Sequence, residues 1–429
     1  MRIMIVTDQY PPMLGGVPNA THGLAVDFVD RGHQVWVVAP SFASREVRRF
    51  EHKVRVYRFS SFEWPAYRGQ HISFLPIIPM RNLIKRSDPD IIHIHSAIVL
   101  GNIAQLLAGG LRKPVIFTNH YMPDNMSTLL TDPVIGKYIS NITYSYLVHF
   151  CNRCEYVTAP TQTALNILYK HGLHTPAKVI SNGINLKKFS PGERDPEILR
   201  RYHLPEDRPL VLHVNRLSHE KRIDVLLDAV PKLRSDAHIA LTSTGPAEAD
   251  LRAQVERLNI GDRVSFLGFV PDADLMLLRR SVDLFVIPSE ADLQSLATME
   301  AMACGLPVIA ANATALPELA HHEENGFVFQ PGNSSELAYY IDLVLSDDEM
   351  RARMREESLR IIAGHDRVKV LDEWEELYRR LSIEFKEAKE RRERLRMLRK
   401  YPGYLPEELQ NIQRPHIRRT GDTFYDKVD

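Results

Sequence analysis

Pro288-Ser-Glu-Ala-Asp-Leu-Gln-Ser-Leu-Ala-Thr-Met-Glu-Ala-Met-Ala-Cys-Gly-Leu-Pro-Val-Ile-Ala310 is the stretch on which the fold turns. It reads as the end of a strand, a polar loop, a helix stopped by glycine, and a second strand. Asp292 stands near the end of the loop, and Glu300 lies one to two turns into the helix. The backbone N–H groups of Gln294, Ser295 and Leu296 fall at the helix start, where they lack helical acceptors. Such an end binds phosphate. Carboxylates on either side of a bound phosphate can accept hydrogen bonds from flanking hydroxyls. A nucleotide sugar has that layout, with sugar hydroxyls, diphosphate and ribose hydroxyls in a row.

The same strand–helix alternation extends in both directions. Apolar runs precede the quoted stretch at Ile3–Val6, Gln34–Ala39, Val54–Phe59, Asp90–His95, Pro114–Asn119, Tyr156–Ala159 and Lys178–Ile180. Others fall at Pro209–Val214, Ile239–Ser243, Val264–Gly268, Leu284–Pro288, Pro307–Ala310 and Gly326–Phe329. Most are rich in Val and Ile and bounded by turn residues, as buried parallel strands are. The expected fold is α/β, with helices on both faces of parallel sheets. At 429 residues the chain is long enough for two cores. Phe189-Ser-Pro-Gly-Glu-Arg-Asp-Pro-Glu197 has no period and marks the boundary. The expected domains are residues 1–190 and 191–365. From about Asp366 a charged helix carries an apolar stripe, Trp374, Leu377, Leu381 and Phe385, and runs to residue 400. A polar tail, 401–429, follows.

Three further segments carry chemistry. In His213-Val-Asn-Arg-Leu-Ser-His-Glu-Lys-Arg-Ile-Asp224, Arg216 and Lys221 stand where a strand gives way to a helix. There a guanidinium fork and an ammonium suit a diphosphate leaving group. In Asp8-Gln-Tyr-Pro-Pro-Met-Leu-Gly-Gly-Val-Pro18, Gly15 and Gly16 let backbone approach a ligand closely. Phe117-Thr-Asn-His120 ends a strand in a histidine, as does Ile91-Ile-His-Ile-His-Ser96. Of His93 and His95, one is expected to be packed and the other to line the cleft.

Together these segments closely resemble the retaining GT-B glycosyltransferases of family four, over approximately residues 1–385. That family's signature is two acids separated by seven residues, followed by Ala-Met-Ala-x-Gly-x-Pro-Val. Here the pair is Asp292 and Glu300, with Asp where the family normally has Glu. Glu290 is two residues out of register. The family's Gly-Arg-Leu-x-x-x-Lys-Gly pattern is matched at Arg216, Leu217 and Lys221, with Asn215 and Arg222 in place of glycine. Asn182-Gly-Ile-Asn185, Thr244-Gly-Pro246 and Phe266-Leu-Gly-Phe-Val270 also fit. The resemblance implies two Rossmann-like domains facing a cleft, with a C-terminal crossover helix. It places His120 beside the 6-hydroxyl of the transferred sugar and has Asp292 orient that sugar. Arg216 and Lys221 then meet the diphosphate, Glu300 the ribose, and the Val270 backbone the nucleobase. The Gly15–Gly16 loop faces the phosphate and acceptor.

No metal or other cofactor is expected beyond the nucleotide-sugar donor, because the two cations can do a metal's electrostatic work. Cys151 and Cys154 lack the second pair that a zinc site needs and read as buried helix cysteines. Equal numbers of Lys+Arg and Asp+Glu, 54 each, give no general attraction to nucleic acid. The three cysteines suit a reducing cytoplasm. No leader or spanning segment is read, so any membrane contact is expected to be peripheral, on the inner face of the cell membrane. Two features point to a lipid acceptor. Gln294, two residues after Asp292, resembles bacterial diacylglycerol glucosyltransferases, and UDP-glucose is the favoured donor. Arg45-Glu-Val-Arg-Arg-Phe-Glu-His-Lys-Val-Arg55 interleaves cations with apolar residues, and cations crowd Lys386–Lys400. Both suit an anionic bilayer. The competing readings are a transferase acting on phosphatidylinositol, a soluble sugar or a glycan, and a silent nucleotide-sugar-binding protein. A dinucleotide dehydrogenase is disfavoured, since no Gly-x-Gly-x-x-Gly follows the first strand.

Overall fold

The computed structural model describes residues 1–13, 15–43, 46–64, 70–123 and 133–400. Arg45, the side chains of Arg394, Arg396, Arg399 and Lys400, and the tail 401–429 lie outside the described residues. In the N-terminal half the order is β1 (Arg2–Val6), α1 (Gly16–Asp30), β2 (Gln34–Pro40), β3 (Val47–Glu51), β4 (Val54–Phe59), β5 (Ser61–Glu63), β6 (His71–Ser73) and α2 (Ile77–Ser87). It continues through β7 (Ile91–Ile94), α3 (Val99–Leu111), β8 (Val115–Thr118), α4 (Pro133–Cys151), β9 (Tyr156–Ala159), α5 (Gln162–Lys170) and β10 (Ala177–Val179). Eight of these strands form one sheet in the order β10-β9-β8-β7-β1-β2-β4-β3. All pairs are parallel except β3 with β4.

The C-terminal half opens with α6 (Pro196–Arg201), β11 (Leu210–Val214), α7 (Ile223–Ala229), β12 (His238–Thr242), α8 (Glu248–Leu258), β13 (Val264–Gly268) and α9 (Asp272–Ser281). Then come β14 (Leu284–Ile287), α10 (Leu296–Ala303), β15 (Val308–Ala311), β16 (Gly326–Phe329), α11 (Ser334–Ser346), α12 (Asp348–Ile362) and α13 (Arg367–Lys400). Its sheet is parallel, in the order β13-β12-β11-β14-β15-β16. This is the GT-B architecture.

Each expected apolar run becomes a strand of one of the two main sheets. The central ones are buried on both faces, as in β1, β7, β8 and β14, because helices cover both sides of each sheet. Three strands had no such signal: β3, β5 and β6. They lie at the sheet edge or form a separate two-stranded ribbon, and β3 and β5 are largely exposed. Cys151 and Cys154 are buried, Gln105 Nε2 donates to Cys154 Sγ at 3.0 Å, and burial pushes both thiols up.

After the second sheet the chain returns to the first. Ile184 N donates to His365 O at 2.8 Å and Arg367 N donates to Ile184 O at 2.9 Å, so outgoing and returning strands of backbone cross side by side. The helix α13 then lays Val370, Leu371, Trp374, Leu377, Tyr378 and Leu381 against Ile3, Phe28 and Val35 of the N-terminal half. The apolar stripe is thus satisfied by the N-terminal half of the chain. Its charged face is fixed by Arg367 Nε to Asp27 Oδ2 at 2.6 Å and Arg31 to Asp372 at 2.6 Å.

Candidate active site between the two sheets

The two sheets meet at the C-terminal ends of their strands. The loop after β14 reaches across to the turn after β9. Leu293 O accepts from Thr161 Oγ1 at 2.8 Å, and Leu293 packs into the N-terminal core. Glu318 accepts from Gln162 N at 2.9 Å and Thr163 N at 2.7 Å, so a carboxylate of one half caps α5 of the other.

On the second-sheet side, β11 ends in the loop that carries the cations. Gly245 presses on this loop. A Cβ there would stand 2.1 Å from Leu217 O, so only glycine fits. Arg216 is exposed at the end of β11. Lys221 points to the loop after β14, and its Nζ donates to Asp292 Oδ1 at 3.0 Å. Both side chains are largely buried, at 13% and 14% exposure, and Asp292 Oδ2 is buried with no partner among the described residues. Arg222 has φ 50, the left-handed region, which explains why a glycine is common at this place. Its guanidinium bonds Asp224 at 3.2 Å and Glu290 at 2.5 Å. Glu290 N donates to Glu220 O at 3.3 Å. Residues 220–222 and 290–292 are therefore tied by one backbone bond and two ion pairs.

Ser295 caps α10, accepting from Thr298 N at 3.2 Å, and Leu296 is the first residue of the helix. Glu300 lies on α10 and is paired with Arg279 of α9, a side chain only 2% exposed. Burial raises the Glu300 carboxyl and the Arg279 guanidinium opposes that rise. Sequence reasoning missed Arg279, because nothing in Leu-Arg-Arg-Ser distinguishes it from its neighbour Arg280. Val270 follows β13 and its side chain is buried in the second core. Gln294 faces the first half of the chain. Its Nε2 donates to Pro160 O at 3.1 Å and Ser181 Oγ at 3.0 Å, and its Oε1 accepts from Asn182 N at 2.8 Å. The amide that resembles the lipid enzymes' motif is thus engaged at the contact between the halves.

On the first-sheet side, Gly15 (φ 146) opens α1 directly beyond β1, and a Cβ on Gly16 would meet nothing within 4 Å. Asp8 closes the same loop from beneath. It accepts from Ser96 Oγ at 2.8 Å and Leu100 N at 3.1 Å, and burial pushes its carboxyl up to about 6. His93 and His95 are both buried, where one of them was expected to line the cleft, and His93 is bonded to Tyr378 OH at 2.5 Å and Thr118 Oγ1 at 2.6 Å. His95 lies beside His120, with Nδ1 and Nε2 at 3.0 Å. Burial drives all three imidazoles toward neutrality, His120 down to about 4.

Residues 14–188 match the model of Glycosyltransferase Family 4, and residues 195–360 that of Glycosyl transferases group 1. The chain belongs to the group 1 glycosyltransferases. Its relatives include alpha-monoglucosyldiacylglycerol synthase of Streptococcus pneumoniae, 27% identical over 72% of this chain and 71% of that one. Another is N-acetyl-alpha-D-glucosaminyl L-malate synthase of Bacillus anthracis, 26% identical over 86% of this chain and 94% of that one. HepE of Anabaena, solved in complex with UDP, shares the fold with a TM-score of 0.70 at 23% identity, covering 88% of this chain and 99% of that one. This glycosyltransferase therefore has the GT-B fold that its sequence motifs imply.

Proposed function

We propose that the enzyme transfers a hexose from a nucleotide sugar, UDP-glucose in type, with retention of configuration, to a membrane lipid such as diacylglycerol. The observation that carries the transfer reading is the Lys221–Asp292 pair at the mouth of the second sheet. Lys221 supplies charge for the departing diphosphate and Asp292 supplies an acceptor for sugar hydroxyls. Arg216, the Gly15–Gly16 backbone, Ser295, Leu296 and Val270 line the same donor path, and Glu300 meets the ribose while Arg279 keeps it charged.

The lipid reading is supported by the named diacylglycerol relative and by an exposed apolar rim. Phe74, Leu75, Ile77 and Ile78 stand exposed where α2 begins, and Phe62 and Trp64 stand on the adjoining ribbon. This ribbon follows the C-terminal end of β4, on the cleft side. Gln70 Nε2 ties it to Asp8 O at 3.3 Å, beside the glycine loop. A contiguous apolar surface next to an acceptor site fits acyl chains. The basic end of α13 is elsewhere. Lys386 and Glu393 reach Asp90 and Arg112, at the N-terminal ends of β7 and β8. The bilayer face proposed is therefore the rim. Among the described residues no helix is long and apolar enough to cross a membrane.

A second reading, a small soluble carboxylic acceptor, is favoured by the L-malate relative, which aligns over more of the chain. The two separate by mass spectrometry of products from UDP-glucose and UDP-N-acetylglucosamine, with diacylglycerol vesicles or L-malate as acceptor. The expected result is a glucosylated lipid with the anomeric proton of an α-glucoside by NMR. Product from malate alone would establish the second reading, and an inverted product would remove the retaining mechanism.

A further inference from the structure

His95 and His120 end the neighbouring strands β7 and β8, which pair with Ile94 opposite Phe117. Their rings are nearly coplanar, 10° apart, with centroids 5.2 Å apart and the facing nitrogens at 3.0 Å. That is the spacing of two imidazoles joined end to end, so the bond is straight. Such a bond needs one proton between two neutral rings, and either ring can supply it. The remaining nitrogen of His95 decides which. His95 Nε2 is buried and has no partner among the described residues. The neighbouring His93 cannot serve it, because Tyr378 and Thr118 occupy both of its nitrogens. A proton on His95 Nε2 would leave a bare N–H buried, at a cost of about 1–3 kcal/mol. A buried lone pair without a partner is tolerated better. The His95 proton therefore sits on Nδ1 and is donated to His120 Nε2. His120, receiving on Nε2, keeps its own proton on Nδ1.

We propose that His95 is a positioning residue that holds His120 in its Nδ1–H form, so that His120 presents a hydrogen-bond donor, not an acceptor, to an oxygen of the transferred sugar. The inference rests on the proposed function and on the family resemblance, which implies that His120 stands beside the transferred sugar. It also says what His120 does there: it orients a hydroxyl through the oxygen lone pair and takes no proton from it.

The test is side-chain 15N NMR of the full-length enzyme, with the His120 signals identified by their loss in His120→Ala. The expected spectrum has a protonated Nδ1 and a bare Nε2 on His120. His95→Asn, whose amide can still donate, keeps this tautomer and keeps turnover of UDP-glucose close to that of the parent. His95→Asp can only accept, so it turns His120 to the Nε2–H form and lowers kcat about tenfold or more, as loss of a hydrogen bond worth about 1.4 kcal/mol would. The melting temperatures of the Asn and Asp variants separate this effect from loss of folding. A protonated Nε2 on His120 in the parent overturns the inference and leaves the proposed function intact. A tautomer that switches in the folded Asp variant without any change in turnover also overturns it, and removes His120 from the sugar site as well.

Discussion

Lys221 Nζ donates to Asp292 Oδ1 at 3.0 Å, and Asp292 Oδ2 has no partner among the described residues. A bound donor asks each for something different. In the proposed function the diphosphate takes the ammonium and the sugar takes the carboxylate, which would make the pair exchange partners. Asp292 is thus an internal competitor of the diphosphate for Lys221. Asp292→Asn should therefore bind UDP more tightly, about fivefold for a pair worth about 1 kcal/mol, while its turnover falls. Lys221→Ala should weaken UDP and lower turnover about 10²–10³-fold. Calorimetry with UDP on both variants is the check. Unchanged or weaker UDP binding by Asp292→Asn would show that the pair does not compete with the ligand. An unchanged affinity in Lys221→Ala would remove Lys221 from the diphosphate site.

At the level of elements, the loop between β14 and α10 belongs to both halves of the molecule. Its backbone continues the second sheet, yet Gln294 and Leu293 are fastened to Pro160, Thr161, Ser181 and Asn182 of the first. His365 Nδ1 also lies 2.9 Å from Ser181 Oγ, at the crossing of outgoing and returning chain. The carboxylate of Asp292, two residues from Gln294, is therefore placed by the closure of the two halves as well as by its own sheet. Gln294→Ala removes the amide bonds and leaves Pro160 O and Asn182 N unpartnered. Each such bond is worth about 1 kcal/mol net, so the two halves should separate more readily while each sheet stays intact. The expected outcome is a larger radius of gyration by small-angle scattering and a KM for donor raised several-fold, with little change in melting temperature. A parent-like scattering curve together with a parent-like KM would mean that the amide does not hold the loop.

For the whole molecule, the buried histidines govern the response to acid. Burial keeps His93, His95, His120 and His213 neutral, with His120 and His213 each pushed down to about 4 from an ordinary 6.5. In the unfolded chain they protonate near 6.5, and in the folded chain they resist until much lower pH. Their contribution to stability is complete above 6.5 and is lost as pH falls toward 4. Asp8 and Glu155 act with the opposite sign. Burial raises them to about 6 and about 7, so they take protons in the folded state first and stabilise it on acidification. Burial also lowers His22, His238 and His365 and raises Glu300, so seven imidazoles stand against three carboxyls, and the melting temperature should drop from pH 7 to pH 5, at about 1.4 kcal/mol per pH unit for each net proton. Scanning fluorimetry across that range reads the sign directly. A flat or rising profile would show that these imidazoles are not buried as described.

The alternation of apolar runs with amphipathic segments was enough to determine the parallel strands of the two sheets. A strand buried on both faces must be apolar at every position, and that is visible locally. The acid pair in and before α10, the Arg216–Lys221 loop and the stripe of α13 were legible for the same reason, since each depends on spacing within one or two elements. The edge strand β3 was not, because a strand exposed to solvent has no such pattern to show. Only the tertiary structure decided which of two adjacent arginines turns inward to meet Glu300, and that Gln294 spans to the other half of the chain. It alone set His95 against His120, 25 residues away. These choices depend on where separate elements stop relative to one another in space. That is fixed by packing across the sheets and across the cleft, and no local run of residues records it.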